Sequence, residues 1–504
     1  MKKLNKVVSL VLASAMALSL AACGGTSETS TSTAGSSSSS SSSSSASGLV
    51  HINVYRDLFN NAAVDDAAVK KVEDAINAYI GDKIGVEITL TEVGSGEYGE
   101  KANLALNNKE INLLWTASWM GTVGTQDLVP LNAVYDITDL LPGTDLYNSI
   151  DANTWEASKY GGRNYFIPVY KDNVEGYDFM FRQDLVDKYG WNLSSVKSLA
   201  DLEPMLADAK SEGLKYPYLT QKTAMFYRWY IDSFDFFTCD VNSNWVAVDR
   251  DTNTVVDTIL TPEYAEFCKL MADWADKGYI SEDEANKVTT DTTTQSQDWA
   301  ISWWTDVPNN DEADGRYGQD VTMVAATNRY LHTDSMLGSC YAITANSTEE
   351  QAKACIDFMG LLYTDKYLAD LYTYGIEGEH FNYDADGYVV KVADTPYNHS
   401  MWESANATIV SAPADSPYTA EMYYNFNGSA LASCASGFHF DKSPVEAEFT
   451  ACQSVFDEFG FILENGGVAA ADVDAKLVEY QAALDAAGYQ TVLAEFQKQY
   501  DAWK

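Results

Sequence analysis

Positive charge is scarce in this chain: 32 Lys and Arg stand against 73 Asp and Glu, a formal net charge of -41 over 504 residues. A surface of that sign repels phosphate backbones and anionic lipid alike, which excludes non-specific nucleic-acid binding and a basic membrane-surface role. Partners should be neutral or cationic. Histidine is rarer still, with five copies, and His51, His332, His380, His399 and His439 never pair at helical metal spacing. Seven cysteines include no Cys-x-x-Cys pair or other metal-ligand spacing. The sequence has no Gly-x-Ser-x-Gly elbow and no Gly-Lys-Ser/Thr phosphate cradle, so the common serine-hydrolase and nucleotide-binding readings fall away. Neither a metal nor a cofactor is expected.

Apolar content is not lacking. With 46% hydrophobic and 12% aromatic residues the chain is too apolar for disorder, and its length suits two or three domains. Residues 1–22 read as an export signal: Lys2, Lys3 and Lys6 precede an apolar stretch over 7–20, too short for a comfortable membrane span, and Leu20-Ala21-Ala22-Cys23 closes it. This ending resembles a bacterial lipobox, which implies cleavage before Cys23 and lipid on its thiol; the remaining chain then carries a charge of -44. Residues 23–48 follow as a tether of Ser, Thr, Gly and Ala with unbroken serine over 36–45, a flexible coil reaching roughly 25–30 Å. The six later cysteines, Cys239, Cys268, Cys340, Cys355, Cys434 and Cys452, lie far apart. A body of this size holds its core without cross-links, which favours buried free thiols, although pairing in an exported chain stays open.

Period-two alternation over 51–55, 86–90 and 111–115 predicts strands, and helical spacing of Val69, Val72, Ile76, Tyr79 and Ile80 predicts a helix between the first two, with another over 98–107. Strands joined by helices in this way build a doubly wound sheet, with ligands beyond its carboxyl edge. Further on come Gly162, Tyr165, Ile167, Pro168 and Val169, then Tyr177 to Phe181 ending in Arg182, Asp184 and Leu185, a Lys188-Tyr189-Gly190 turn, and a helix start capped by Ser198. This succession resembles the extracellular solute-binding proteins of ATP-driven import systems, in the broad group that includes the maltose-binding proteins. Trp299 to Trp304, Val321 to Val324 and 347–374 continue the resemblance. Gly375 to Phe381, Gly437 to Val445 and a last helix near Trp503 are similar to lipoprotein members with a distinctive C-terminal extension.

The resemblance implies a two-lobed α/β fold of the periplasmic-binding-protein kind, each lobe a doubly wound sheet flanked by helices, joined by hinge crossings. Lobe 1 would comprise 49–168 with 325–375, and lobe 2 would comprise 169–324 with 376–504. It further implies a solute closed between the lobes, a permease in the membrane as partner, a lipid-anchored monomer on the outer face of a bacterial cell membrane, and no catalysis. A saccharide would need aromatic platforms for its C–H faces and carboxylates or amides for its hydroxyls. Trp119, beyond a strand end, and Trp303 with Trp304 are therefore expected to face each other across the cleft. Tyr55, Asp57, Tyr170, Trp402 and Asn425 complete the candidates. Two other readings stay open: a tethered glycoside hydrolase, since 73 carboxylates guarantee some close pair, and a peptide- or polyamine-binding member, which the acidity suits. The run Asn382 to Gly387 looks like a calcium loop, but its twelfth position is Ala393, so a hairpin turn is expected there.

Overall fold

The computed structural model describes residues 48–59, 64–221, 226–236, 245–287, 295–309, 314 and 317–504. Cys23, the tether and Cys239 lie outside the described residues. The alternating segments form β1 (Val50–Leu58) and β2 (Val86–Gly94), paired in parallel from Val50 against Val86 to Leu58 against Gly94. Between them runs the helix Asp66–Ile84. Asp65 caps it by accepting the Ala67 and Ala68 N–H groups, and Gly85 ends it at φ 67°. Its Val69, Val72, Ile76 and Ile80 are buried, as the 3.6-residue period requires.

β3 (Leu113–Thr116) joins β1 on the other edge, also in parallel, and β4 (Phe166–Pro168) follows after three short helices. This strand is only three residues long, and Tyr170 already lies outside the sheet and bridges Asn406. β5 (Tyr177–Arg182) and β6 (Tyr216–Tyr218) open a second sheet, and β7 (Phe234–Phe236), β8 (Val246–Asp249) and β9 (Thr254–Asp257) make a separate antiparallel one. β10 (Trp299–Thr305) and β11 (Val321–Ala325) complete the second sheet in the order β11-β5-β10-β6. β12 (Tyr330–Leu331) lies outside it, and β13 (Cys340–Ile343) returns to the first sheet, giving β2-β1-β3-β13-β4. Each sheet contains one antiparallel strand at a point where the chain enters from the other: β13 against β3 and β4, β5 against β10 and β11.

Two large hydrophobic cores follow from the two sheets, beside a small third cluster around Met180, Trp299 and Tyr317. One gathers Ile52, Val54, Leu114, Trp115, Ile343 and Phe358; the other gathers Phe181, Tyr218, Trp245, Phe267, Tyr480 and Phe496. Three chain segments pass between them. The first and second meet at the Glu175–Tyr330 bridge, and β12 pairs in parallel with β16 (Leu431–Ala432) of the third. This is a two-lobed α/β fold with crossing segments side by side.

The expected assignment of all of 376–504 to the second lobe meets a correction. Phe381, Val389, Tyr397, Ala405 and Val410 belong to the first core, and the chain rejoins the second only at Ala435. At the start of this segment Gly375 ends the helix Lys366–Tyr374 at φ +87°, where a Cβ would collide with the His380 ring. The run Asn382 to Gly387 is the turn between β14 (Phe381–Tyr383) and β15 (Val389–Lys391), where Asp384 accepts the Asp386 and Tyr388 N–H groups. The tail is integral to the second core: the Tyr489 hydroxyl donates to the Trp245 carbonyl at 2.5 Å, and the rings pack edge-on at 5.4 Å. Cys268, Cys340, Cys355 and Cys452 are buried free thiols, and Cys434 is a half-buried one.

Candidate functional site

A cavity of about 800 Å3 lies where the two sheets and the crossings approach one another. Lys171 and Asp172 of the first crossing line it, together with Trp304, Thr305 and 307–309 after β10, and Gly318, Gln319 and Asp320 before β11. From the first-lobe side come Tyr374, Lys391, and 399–402; Pro413, Asp415, Ser416, Tyr418 and Tyr423 close the rim. Asn309 spans that rim, its amide donating to the Pro417 carbonyl at 2.9 Å.

Two of the eight expected contacts, Trp304 and Trp402, line this cavity, and they enter it from opposite sides. Strand alternation separates Trp303 from Trp304. Trp303 turns into the second lobe, where its indole N–H donates to the Thr220 carbonyl at 3.1 Å and the Arg228 guanidinium lies 3.8 Å over its ring. Trp304 packs edge-on against Tyr317 at 5.5 Å. Trp402 sits on the one-turn helix Met401–Ser404, backed by Phe59 at 4.8 Å and Trp115 at 6.1 Å.

The remaining six lie elsewhere. Trp119 is 45% exposed, bonded through its indole N–H to the Gly338 carbonyl and packed on Phe59 at 5.6 Å, so it touches the back of the Trp402 cluster rather than the cavity. Tyr55 lines a smaller, separate hollow with Lys101 and Glu110. Asp57 is buried, accepts the Ser95 hydroxyl at 2.9 Å, and is pushed up to about 6 by burial, against the pull of that bond. Tyr170 is buried against Tyr424, and Asn425 is exposed on the helix Ala420–Gly428 whose Tyr423 lines the rim. Tyr374, Lys391, Tyr418 and the 307–309 loop gave no signal in the sequence, because each reaches the cavity through long-range packing.

Behind Trp402 lies a buried ionic chain. Arg56 and Glu92, directly opposite in the β1/β2 register, form an ion pair, and Arg56 also donates to the Tyr372 carbonyl at 2.9 Å and the Tyr397 hydroxyl at 2.6 Å. Its guanidinium stacks 4.0 Å over the Tyr372 ring. Arg56 and the His399 imidazole hold the Glu92 carboxyl down to about 2 in spite of its burial. On the cavity wall itself, Lys391 carries an ammonium whose pKa burial lowers, with Asp415 and Glu403 opposing. Among the described residues no three His, Cys, Asp or Glu side chains gather into a metal-holding group.

Two α/β lobes around a polar, aromatic-walled cavity define a protein built to enclose a small solute. The chain belongs to the bacterial extracellular solute-binding proteins, whose family pattern matches residues 74–377, and a domain of unknown function matches residues 434–504. Membership places its work outside the cytoplasm. A carbohydrate ABC transporter substrate-binding protein of Streptococcus pneumoniae is 25% identical over 442 residues, spanning 84% of this chain and 86% of the relative. The fold is similar to that of the N-glycan transport solute binding protein from Streptococcus pneumoniae, at a TM-score of 0.75 and 23% identity over 90% of this chain and 99% of that one. The same protein in complex with Man1GlcNAc matches at 0.68 and 22%, again over 90% and 99%.

Proposed function

We propose that this chain captures an oligosaccharide between its lobes, without turning it over, and hands it to the membrane permease of an ABC import system. The observation that carries this reading is the pair of indoles, Trp304 and Trp402, entering one cavity of about 800 Å3 from opposite sides. Aromatic faces suit the C–H faces of sugar rings, and Lys171, Asp172, Asn309, Gln319 and Asp415 supply donors and acceptors for hydroxyls. The volume lies toward the top of the range of about 300–1,000 Å3 for small-molecule sites, which favours several sugar residues over one. The carbohydrate and N-glycan relatives support the same ligand class.

In this proposal the first lobe comprises 49–168, 325–375 and the returning 376–410, with the second lobe holding the rest of the body. The mature chain is a monomer tethered by lipid on Cys23. Its test is titration calorimetry against a panel of N-glycan fragments, fructans, peptides and polyamines. Saturable heat with an oligosaccharide is the expected result. Binding of peptides or polyamines alone, or hydrolysis of a bound glycan, would overturn it.

A further inference from the structure

We infer that the buried chain Arg56, Glu92, His399 and Glu403 is a positioning device for Trp402: it fixes the one-turn helix that carries this indole. The helix Met401–Ser404 is too short to hold itself, since a single turn fixes more dihedrals than it gains hydrogen bonds. What holds it lies at its two ends. His399, just before it, presents Nε2 to Glu92 Oε1 at 2.9 Å and Nδ1 to Glu403 Oε1 at 3.3 Å. Glu403, inside it, accepts the Ser400 N–H at 2.8 Å, and the single Tyr341 hydroxyl proton is shared between the Glu403 and Ser404 carbonyls, each 3.1 Å away. Trp402 lies between these anchors. Glu92 is itself tied to Arg56, so the helix that bears a cavity residue is fastened to β1 and β2 by Arg56 and Glu92, which do not line the cavity, through His399, which lies on its wall.

The arrangement favours a charged imidazole, with Nε2 hydrogen-bonded to Glu92 and Nδ1 at ion-pair distance from Glu403 without an aligned hydrogen bond. A carboxylate faces each ring nitrogen, and a neutral ring can donate to only one of them, leaving a lone pair against a buried anion. With the imidazolium in place, two cations offset two anions and the group is neutral as a whole. The charged or titratable side chains facing His399 include Arg56 and Asp57 from β1, Glu92 from β2, Glu403 from the helix that follows it, and the Tyr397 ring at 5.3 Å. Burial and Arg56 work against the charge, yet Glu92 and Glu403 outweigh them and hold the imidazole above its usual value.

The consequence for affinity rests on the stacking role proposed above; the consequence for the indole does not. The test labels the full chain with 5-fluorotryptophan and follows the Trp402 fluorine line, identified by its loss in Trp402→Phe. At pH 6.5 the wild-type line should be single and narrow. In His399→Gln, and independently in Glu403→Gln, it should shift or broaden while lines of distant tryptophans such as Trp245 and Trp274 stay in place, which also certifies the fold. An unchanged Trp402 line in either folded variant overturns the inference, because a fastening that can be cut without moving the indole does not position it. Calorimetry with Man5GlcNAc forms the second arm, in which His399→Gln should bind roughly tenfold more weakly than wild type. Wild-type failure in that arm counts against the glycan reading, and the fluorine line then decides the inference by itself.

Discussion

Trp303 and Trp304 are neighbours in one strand, and their replacement should have opposite consequences. Trp303→Ala removes a half-buried indole from the second core, together with a hydrogen bond to Thr220 and the stack on Arg228. A fully buried tryptophan costs about 3–5 kcal/mol, a hydrogen bond about 1, and a desolvated cation–π contact up to about 2; because these figures overlap and the indole is only partly buried, about 3–4 kcal/mol in all is expected. At roughly 2 °C per kcal/mol for a chain of this size, the ligand-free melting temperature should fall by about 6–8 °C. Trp304→Ala should instead cost at most about 1–2 kcal/mol of stability but weaken glycan binding by about 1–3 kcal/mol, or about 5- to 150-fold. Thermal melts without ligand and calorimetry with the bound glycan separate the two roles. A Trp303→Ala protein that melts with the parent but loses the glycan would mean the strand presents the opposite faces.

Four further outcomes follow from the geometry. Asp178, buried on β5 beside Asp306, is pushed up to about 7, by burial first and by Asp306 next, against the pull of Arg329. Its folded value lies above the unfolded one, so the associated stability is present below about pH 4 and lost as pH rises toward 7; Asp178→Asn should match wild type at pH 4 and exceed it by about 2–4 kcal/mol at pH 8 in urea unfolding, and equal stability at pH 8 would refute this. His332 is held up at about 9, since its bond to Asp235 outweighs its burial. That stability is present below about pH 6.5 and lost as pH rises through 9, so Asp235→Asn should cost about 3–5 kcal/mol at pH 6.5 and clearly less at pH 10, whereas an equal cost at both would contradict it. Cys23→Ala should release the protein from membranes in its native host, and retention after a salt wash would locate the anchor elsewhere. Saturating glycan should reduce the radius of gyration in small-angle scattering, and an unchanged value would argue for a rigid cleft.

Local chemistry was legible in the sequence wherever its cause is local. Alternation over 51–55 and 86–90 and the spacing of Val69, Val72, Ile76 and Ile80 reappear as β1, β2 and their connecting helix. Ser198 begins the short helix expected after it, with the Asp201 carboxylate accepting its N–H, and Asn382 to Gly387 makes the hairpin turn. These features depend on neighbours within a few residues. The family resemblance, carried by motifs spread over much of the chain, led from them to the two-lobed fold.

Tertiary packing alone decided which aromatic faces the cavity. Alternation says that Trp303 and Trp304 point to opposite sides of β10, but which side a helix or a core covers depends on segments such as Thr220 and Arg228, some 80 residues away. The same holds for the packing of 376–410 on the first core, where Phe381, Val389, Tyr397 and Val410 meet residues far away in the chain. Arg56 shows the limit most clearly. A lone arginine in a strand carries no local signal, and its partners stand 36, 316 and 341 positions along the chain. A charge can be buried only where such partners converge, and convergence over those separations is a property of the folded chain, not of any stretch of its sequence.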